Sequence, residues 1–108
     1  MKQSNAWKAL ERRVAKFFNT ERTPLSGGNS KITRSDSLHP TLFIETKRAT
    51  RYKAAIRLWD ETAQMAKPEG KIPVIALGAP HRKGFWILVH CDDLTLVHET
   101  ITRTRSNP

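Results

Sequence analysis

The stretch Thr41-Leu-Phe-Ile-Glu-Thr-Lys47 decides the expected fold of this chain. Its alternating pattern predicts a β-strand with Phe43, Glu45 and Lys47 on one face. An acid and an ammonium group therefore lie side by side on that face. The carbonyl of Thr46, between them, is available as a further oxygen ligand.

The residues on either side of this stretch predict a mixed α/β domain. Spaced apolar residues predict helices over 5–19 and 53–66, and apolar runs predict strands over 72–79 and 84–91, joined as an antiparallel hairpin. A short helix follows Asp92 or Asp93, and the element order is α-β-β-α-β-β-α. A chain of 108 residues has room for one core. We expect a single domain over 1–108, with its core at about 5–94 and a frayed tail at 103–108.

The charge of the chain is strongly positive and unevenly distributed. Lys and Arg number 19 against 10 Asp and Glu, a net charge of +9. Residues 1–54 hold twelve of the basic residues and four of the acids, whereas residues 55–108 hold seven and six. A basic half of this kind favours a polyanionic partner such as nucleic acid.

Several classes of protein are disfavoured by composition. The chain has one cysteine, Cys91, so it has no internal disulfide and no cysteine-cluster zinc site, and its four histidines lack metal-ligand spacing. Cys91 itself is expected to be a small buried residue. No apolar run is long enough to cross a bilayer, and no signal peptide is evident. We expect a cytoplasmic protein, in a cell or in a virus-infected host, whose metal ligands, if any, are oxygens.

Three acids in the basic half have a pattern typical of metal-dependent phosphodiester hydrolysis. That chemistry needs two or three carboxylates around a hard cation and a basic group beside them. Asp36 lies nine positions before Glu45, a distance that a hairpin or bent strand closes, and Lys47 supplies the ammonium group. Glu11 falls on the inner edge of the first helix, from where it could reach the same cluster.

In this order the residues resemble a known family. Asp36 followed by Glu45-Thr46-Lys47 resembles the core motif of the PD-(D/E)xK nuclease superfamily, although Ser35 stands where the superfamily has proline. Glu11 on the first helix and the loop Arg22-Thr-Pro-Leu-Ser-Gly-Gly28 are similar to features of the archaeal-type Holliday junction resolvases. The ordered set is far more specific than Glu-x-Lys alone. The resemblance covers about residues 5–94.

The resemblance implies a restriction-endonuclease-like fold, with a central mixed β-sheet flanked by helices, and a homodimer that cuts a four-way DNA junction. Mg²⁺, with Mn²⁺ as a substitute, would be held by Glu11, Asp36, Glu45 and the Thr46 carbonyl. Lys47 would position the attacking water. Ser26 would be catalytic together with Glu11, Asp36, Glu45 and Lys47. With the glycine loop, it would contact the phosphate backbone or reach into the junction. The remaining DNA contacts would come from Lys8, Arg12, Lys16, Arg22, Gly27, Gly28, Lys31, Arg34, Arg48, Arg51 and Lys53.

Other interpretations of these residues stay open. Glu11 could be a boundary residue paired with Arg12 or Lys8, and Glu45 with Lys47 could be a solvated ion pair on a strand. A related nuclease acting on flaps or forks would share the same site. A basic DNA-binding module without catalysis would share the charge alone, and binding to a membrane surface is the least favoured reading.

Overall fold

The computed structural model describes residues 5–24, 35–47 and 49–106. It divides the chain into two compact units, Met1–Arg51 and Tyr52–Pro108. Ser26, Gly27, Gly28, Lys31, Arg34 and Arg48, which the sequence assigned to catalysis or DNA binding, lie outside the described residues. None of the helices described has the length and apolar character needed to span a membrane.

The N-terminal unit begins with helix α1, Asn5–Phe17. Its fully buried face is formed by Glu11 and Ala15, one turn apart, each with 1% of its surface exposed. The sequence predicted that Glu11 faces inward, and this is confirmed. Phe17 is 45% exposed and lies edge-on to the ring of Phe18, with the ring centroids 5.0 Å apart.

A left-handed residue ends α1. Asn19 has a φ of 56°, and its backbone N–H donates to the carbonyl of Lys16, while the N–H of Thr20 donates to that of Ala15. These two bonds form a Schellman motif, in which asparagine takes the position more often held by glycine. The chain therefore turns back at Asn19 and brings residues 21–24 towards the segment that starts at Ser35.

Short extended segments follow α1 in the described part of the N-terminal unit, which ends with a 3-10 turn over Ala49–Arg51. Arg22 and Ser37 form an antiparallel bridge, supported by bonds from the N–H of Thr23 to the carbonyl of Asp36 and from the N–H of Leu38 to that of Glu21. On its other side, the N–H of Asp36 donates to the carbonyl of Ile44. Among the described residues, 41–47 pair through this one backbone–backbone bond and form no regular strand, so the strand predicted there was wrong. The alternation predicted for residues 43–47 is nevertheless present, because Ile44 and Thr46 are buried whereas their neighbours are exposed.

The C-terminal unit opens with helix α2, Lys53–Ala66, the bounds that the sequence predicts. A 3-10 turn, Lys67–Glu69, follows and ends at Gly70, whose φ of 62° suits glycine. The sheet of this unit is an antiparallel hairpin of β1, Ile75–Leu77, and β2, Trp86–Leu88. The register pairs Ala76 with Ile87. The predicted hairpin is confirmed, with strands shorter than expected.

The last helix, α3, spans Leu94–Ser106 and follows a 3-10 turn over Cys91–Asp93. It therefore continues into the segment that the sequence assigned to the tail. Within the described residues the sheet has two antiparallel strands. The central mixed sheet of a restriction-endonuclease-like fold stays a prediction.

Candidate active site

A buried hydroxyl group fixes the segment that carries the candidate catalytic aspartate. Ser35 is 2% exposed, and its Oγ donates to the carbonyl of Ile44 at 2.9 Å and accepts from the N–H of the same residue at 2.8 Å. It also accepts from the N–H of Ser37 at 3.4 Å. The hydroxyl of Thr23 anchors the other side, donating to the Ser35 carbonyl at 2.8 Å. Ser35 thus connects the two segments on which Asp36 and Glu45 lie.

Asp36 and Glu45 come together at this connection. Asp36 is 9% exposed, and its Oδ2 accepts the backbone N–H of Thr46 at 2.6 Å. Burial raises the pKa of Asp36 above its ordinary value, and the neighbouring charge of Glu45 raises it further. The Thr46 N–H and the charge of Lys47 lower this pKa, and the net direction is upward. A carboxyl group whose charged form is disfavoured by burial and by a neighbouring carboxylate is suited to a bound cation or a retained proton.

Lys47 lies beside the carboxyl pair, as the alternation predicts. Its Nζ is 3.0 Å from Oε2 of Glu45, and the two side chains are 55% and 47% exposed. Phe43, on the same face, is 68% exposed. The ammonium group and the outer carboxylate are therefore accessible to a large ligand.

The metal-site hypothesis places Glu11 with Asp36 and Glu45, but in the structure Glu11 is paired with Arg22. Its Oε1 accepts a hydrogen bond from Nε of Arg22 at 3.0 Å, and the two side chains are 1% and 16% exposed. The structure thus brings Asp36, Glu45 and Lys47 together and pairs Glu11 with Arg22. The alternative partners, Arg12 and Lys8, do not form this ion pair.

A second Glu-x-Lys sequence in the chain shows what is particular to the first. Glu69 and Lys71 form an ion pair of 2.9 Å with the same spacing, and their side chains are 63% and 73% exposed. However, every buried polar or charged side chain among the described residues belongs to the N-terminal unit. The pair at residues 45–47 is therefore distinguished by the buried Asp36 beside it.

The basic residues proposed to hold DNA vary in exposure. Arg12, Lys16, Arg51 and Lys53 are exposed, whereas Lys8 is half-buried. Arg22 is largely buried against Glu11. Exposed guanidinium and ammonium groups are available for phosphate contacts.

Sequence reasoning gave Ser35 no role and missed the ion pair of Arg22. In the sequence, Ser35 was noted only because it replaces the proline of the motif. The Ser-Asp-Ser run at 35–37 could have predicted its role, because serine hydroxyls commonly form hydrogen bonds with nearby backbone groups. His39 has a local role, since its Nδ1 accepts the backbone N–H groups of Thr41 and Leu42. Cys91, predicted to be buried, is exposed, so that prediction was wrong.

The chain was compared with protein-family models, curated proteins and solved structures, and it matches none of them.

Proposed function

We propose that this protein is a Mg²⁺-dependent endodeoxyribonuclease that cuts branched DNA, with the four-way junction as its preferred substrate, acting in the cytoplasm as a homodimer. The observation that carries the proposal is the buried Asp36, whose carboxylate accepts the backbone N–H of Thr46 next to Glu45 at 2.6 Å, with the ammonium group of Lys47 3.0 Å from the Glu45 carboxylate. The junction preference and the dimer rest on the family resemblance of the sequence.

The donor set at this site fits a hard cation. Carboxylate oxygens are the ligands that Mg²⁺ prefers, and a cation bound at Asp36 would offset the burial that raises the pKa of this carboxyl group. Two buried hydroxyl oxygens, Oγ of Ser37 and Oγ1 of Thr46, have no hydrogen-bond partner within the described structure. Orphaned buried oxygens are consistent with an ordered water. Asp36, Glu45 and the Thr46 carbonyl would hold the metal.

A bound Mg²⁺ supplies charge stabilisation for the phosphate and lowers the pKa of a bound water. The chain contributes the geometry. Ser35 holds the Asp36 segment against residues 44–46, and the Thr46 N–H fixes one oxygen of Asp36. Lys47, tethered by Glu45, can orient the attacking water and offset the charge that develops on the phosphate.

The basic N-terminal half supports a nucleic-acid substrate. Its twelve Lys and Arg attract the phosphate backbone without reading sequence. Arg12 and Lys16 are exposed on α1 of the same unit as the carboxyl pair. A substrate recognised by shape suits contacts of this kind.

The test compares cleavage of a labelled four-way junction and a matched linear duplex, with Mg²⁺ or with EDTA. Glu45→Gln should reduce the rate at least about a hundredfold, because it removes a charged ligand from the pair. Glu69→Gln is the matched control, since Glu69 has the same spacing to a lysine and a similar ion pair. It should leave the rate unchanged.

Paired, symmetric nicks that need Mg²⁺ would support the whole proposal. Equal cutting of flaps, forks or linear duplex would refute the preference for four-way junctions but would still support nuclease activity. DNA binding that weakens steeply with salt, with no cleavage in Mg²⁺ or Mn²⁺, would refute the nuclease activity. The protein would then be a DNA-binding module without catalysis. A monomer in sedimentation at working concentration would overturn the homodimer.

A further inference from the structure

The C-terminal unit contains a second group of metal-ligating side chains, separate in chemistry from the carboxyl pair. His90, Cys91 and Asp92 follow one another directly after β2, and each offers one ligand atom within 4.8 Å of the other two. An imidazole, a thiol and a carboxylate form a softer donor set than the oxygens around Asp36. We propose that these three residues form a site for a borderline divalent transition metal of the zinc type.

The donor separations are close to those of a tetrahedral zinc site. His90 Nδ1 lies 3.6 Å from Asp92 Oδ2 and 4.0 Å from Cys91 Sγ, and Cys91 Sγ lies 3.7 Å from Asp92 Oδ1. Zinc bonds of about 2.0–2.3 Å at tetrahedral angles place such donors about 3.4–3.6 Å apart. The two shorter distances involve different oxygens of Asp92; with one oxygen of Asp92, the three ligand atoms lie within 4.8 Å of one another. They therefore need to draw together by roughly an ångström to reach zinc geometry.

The turn explains why three consecutive side chains converge. His90 has an extended backbone, with φ −69° and ψ 142°, and its side chain folds forward to cap the 3-10 turn over Cys91–Asp93. Its Nδ1 accepts the backbone N–H of Asp92 at 3.1 Å. Because a backbone N–H can only donate, Nδ1 carries no proton, and this is the form of imidazole that binds metals. Metal binding replaces this capping bond.

A cavity of about 360 Å³ adjoins the group. His90 and Cys91 line it together with Asp60, and apolar walls come from Ile56, Trp59 and Leu88. Three protein donors leave a fourth position on a tetrahedral metal, which the cavity can fill with water or a small anion. Asp60 adds negative charge at the same cavity and so favours a cation there.

Binding at this site exchanges a proton for a metal ion. The thiol of Cys91 loses its proton to solvent as the sulfur–metal bond forms, and no electron is transferred. His90, Cys91 and Asp92 are all exposed, so the metal can enter directly from solvent.

The experiment titrates Co²⁺, as a coloured probe for a zinc site, into the full chain under a phosphine reductant. Cys91 is the only cysteine in the sequence, so a thiolate-to-cobalt charge-transfer band reports a bond to that residue alone. The band should saturate at one equivalent per chain and disappear when Zn²⁺ is added, whereas millimolar Mg²⁺ should leave it unchanged. In an amide NMR spectrum the Asp92 signal should shift with the same saturation.

Variants separate a built site from a chance thiol contact. Cys91→Ser should abolish the band, and His90→Ala or Asp92→Asn should weaken Co²⁺ binding at least about tenfold. His98→Ala is the matched control, because His98 is an exposed histidine on α3. It should bind Co²⁺ as the parent does.

Circular dichroism of each apo variant checks that loss of binding is not loss of folding. A missing band, saturation at half an equivalent, or unchanged affinity in both His90→Ala and Asp92→Asn would overturn the proposal. The double variant Asp36→Asn/Glu45→Gln should bind Co²⁺ normally, so this test is independent of nuclease activity.

Discussion

The ion pair between Glu11 and Arg22 gives the sharpest prediction about the N-terminal unit. Replacing Arg22 with methionine keeps the length and apolar stem of the side chain but removes the positive charge. Glu11, 1% exposed, would then hold a negative charge in the interior without its cation. Removing one partner from a buried ion pair typically costs about 3–5 kcal/mol. We expect Arg22→Met to lower the free energy of unfolding by that amount.

Urea denaturation followed by circular dichroism measures the effect. With a slope of about 1.5 kcal/mol per molar urea, the midpoint should fall by ~2–3 M. Lys71→Met is the control, because Lys71 forms an ion pair of similar length with an exposed glutamate. Exposed pairs contribute about 0–1 kcal/mol, so the control midpoint should hardly move.

The double variant Glu11→Gln/Arg22→Met tests the physical cause. If the cost comes from an uncompensated buried charge, neutralising Glu11 should recover most of the lost stability. An Arg22→Met variant as stable as the Lys71→Met control would refute the reasoning. So would a double variant that loses as much stability as the sum of its single changes.

Three further changes probe the site and the hairpin. Since the folded pKa of Asp36 is raised above 3.8, the folded state holds this proton more tightly than the unfolded chain, and stability falls as pH rises from 3.8 through the folded pKa. Asp36→Asn should therefore exceed the parent in thermal stability at neutral pH, with the difference vanishing below pH 3.8; an equal gain at every pH would contradict this. Ser35→Ala leaves the N–H of Ile44 without its buried partner and should cost about 1–3 kcal/mol in urea, against a smaller loss for Ser35→Thr. Ile75→Ala, at a residue 8% exposed, should cost about 2–4 kcal/mol, and Ile87→Ala, at one 55% exposed, clearly less; equal losses would show that burial is not the cause.

The sequence predicted those features that depend on local periodicity. The apolar spacing of residues 53–66 predicts α2 to the residue, and the phase of α1 places Glu11 inward. The alternation at 43–47 predicts that Glu45 and Lys47 share a face, because that result depends only on the pleat of an extended chain.

Features that depend on chain reversal could not be predicted in the same way. Arg22 reaches Glu11, eleven residues earlier, only because Asn19 turns the chain back after α1. Ser35 acts through the backbone of Ile44, nine residues later, and no periodic pattern encodes that contact. The strand expected over 72–79 shortens to Ile75–Leu77, consistent with Pro73 having no N–H to give a ladder. The three candidate site residues could be selected from the sequence pattern, but the distances between them depend on these nonlocal bonds.

The alternation of buried and exposed side chains at residues 43–47 has a consequence for how this chain can change in length. Backbone bonds hold Ile44 in place, so a single residue inserted between Ile44 and Glu45 would reverse the facing of every side chain that follows. Glu45 would occupy the buried position and Thr46 the exposed one. An insertion of two residues would restore the order. Length variation at this point is therefore expected in even steps, because an odd step would turn Glu45 and Lys47 together towards the buried face.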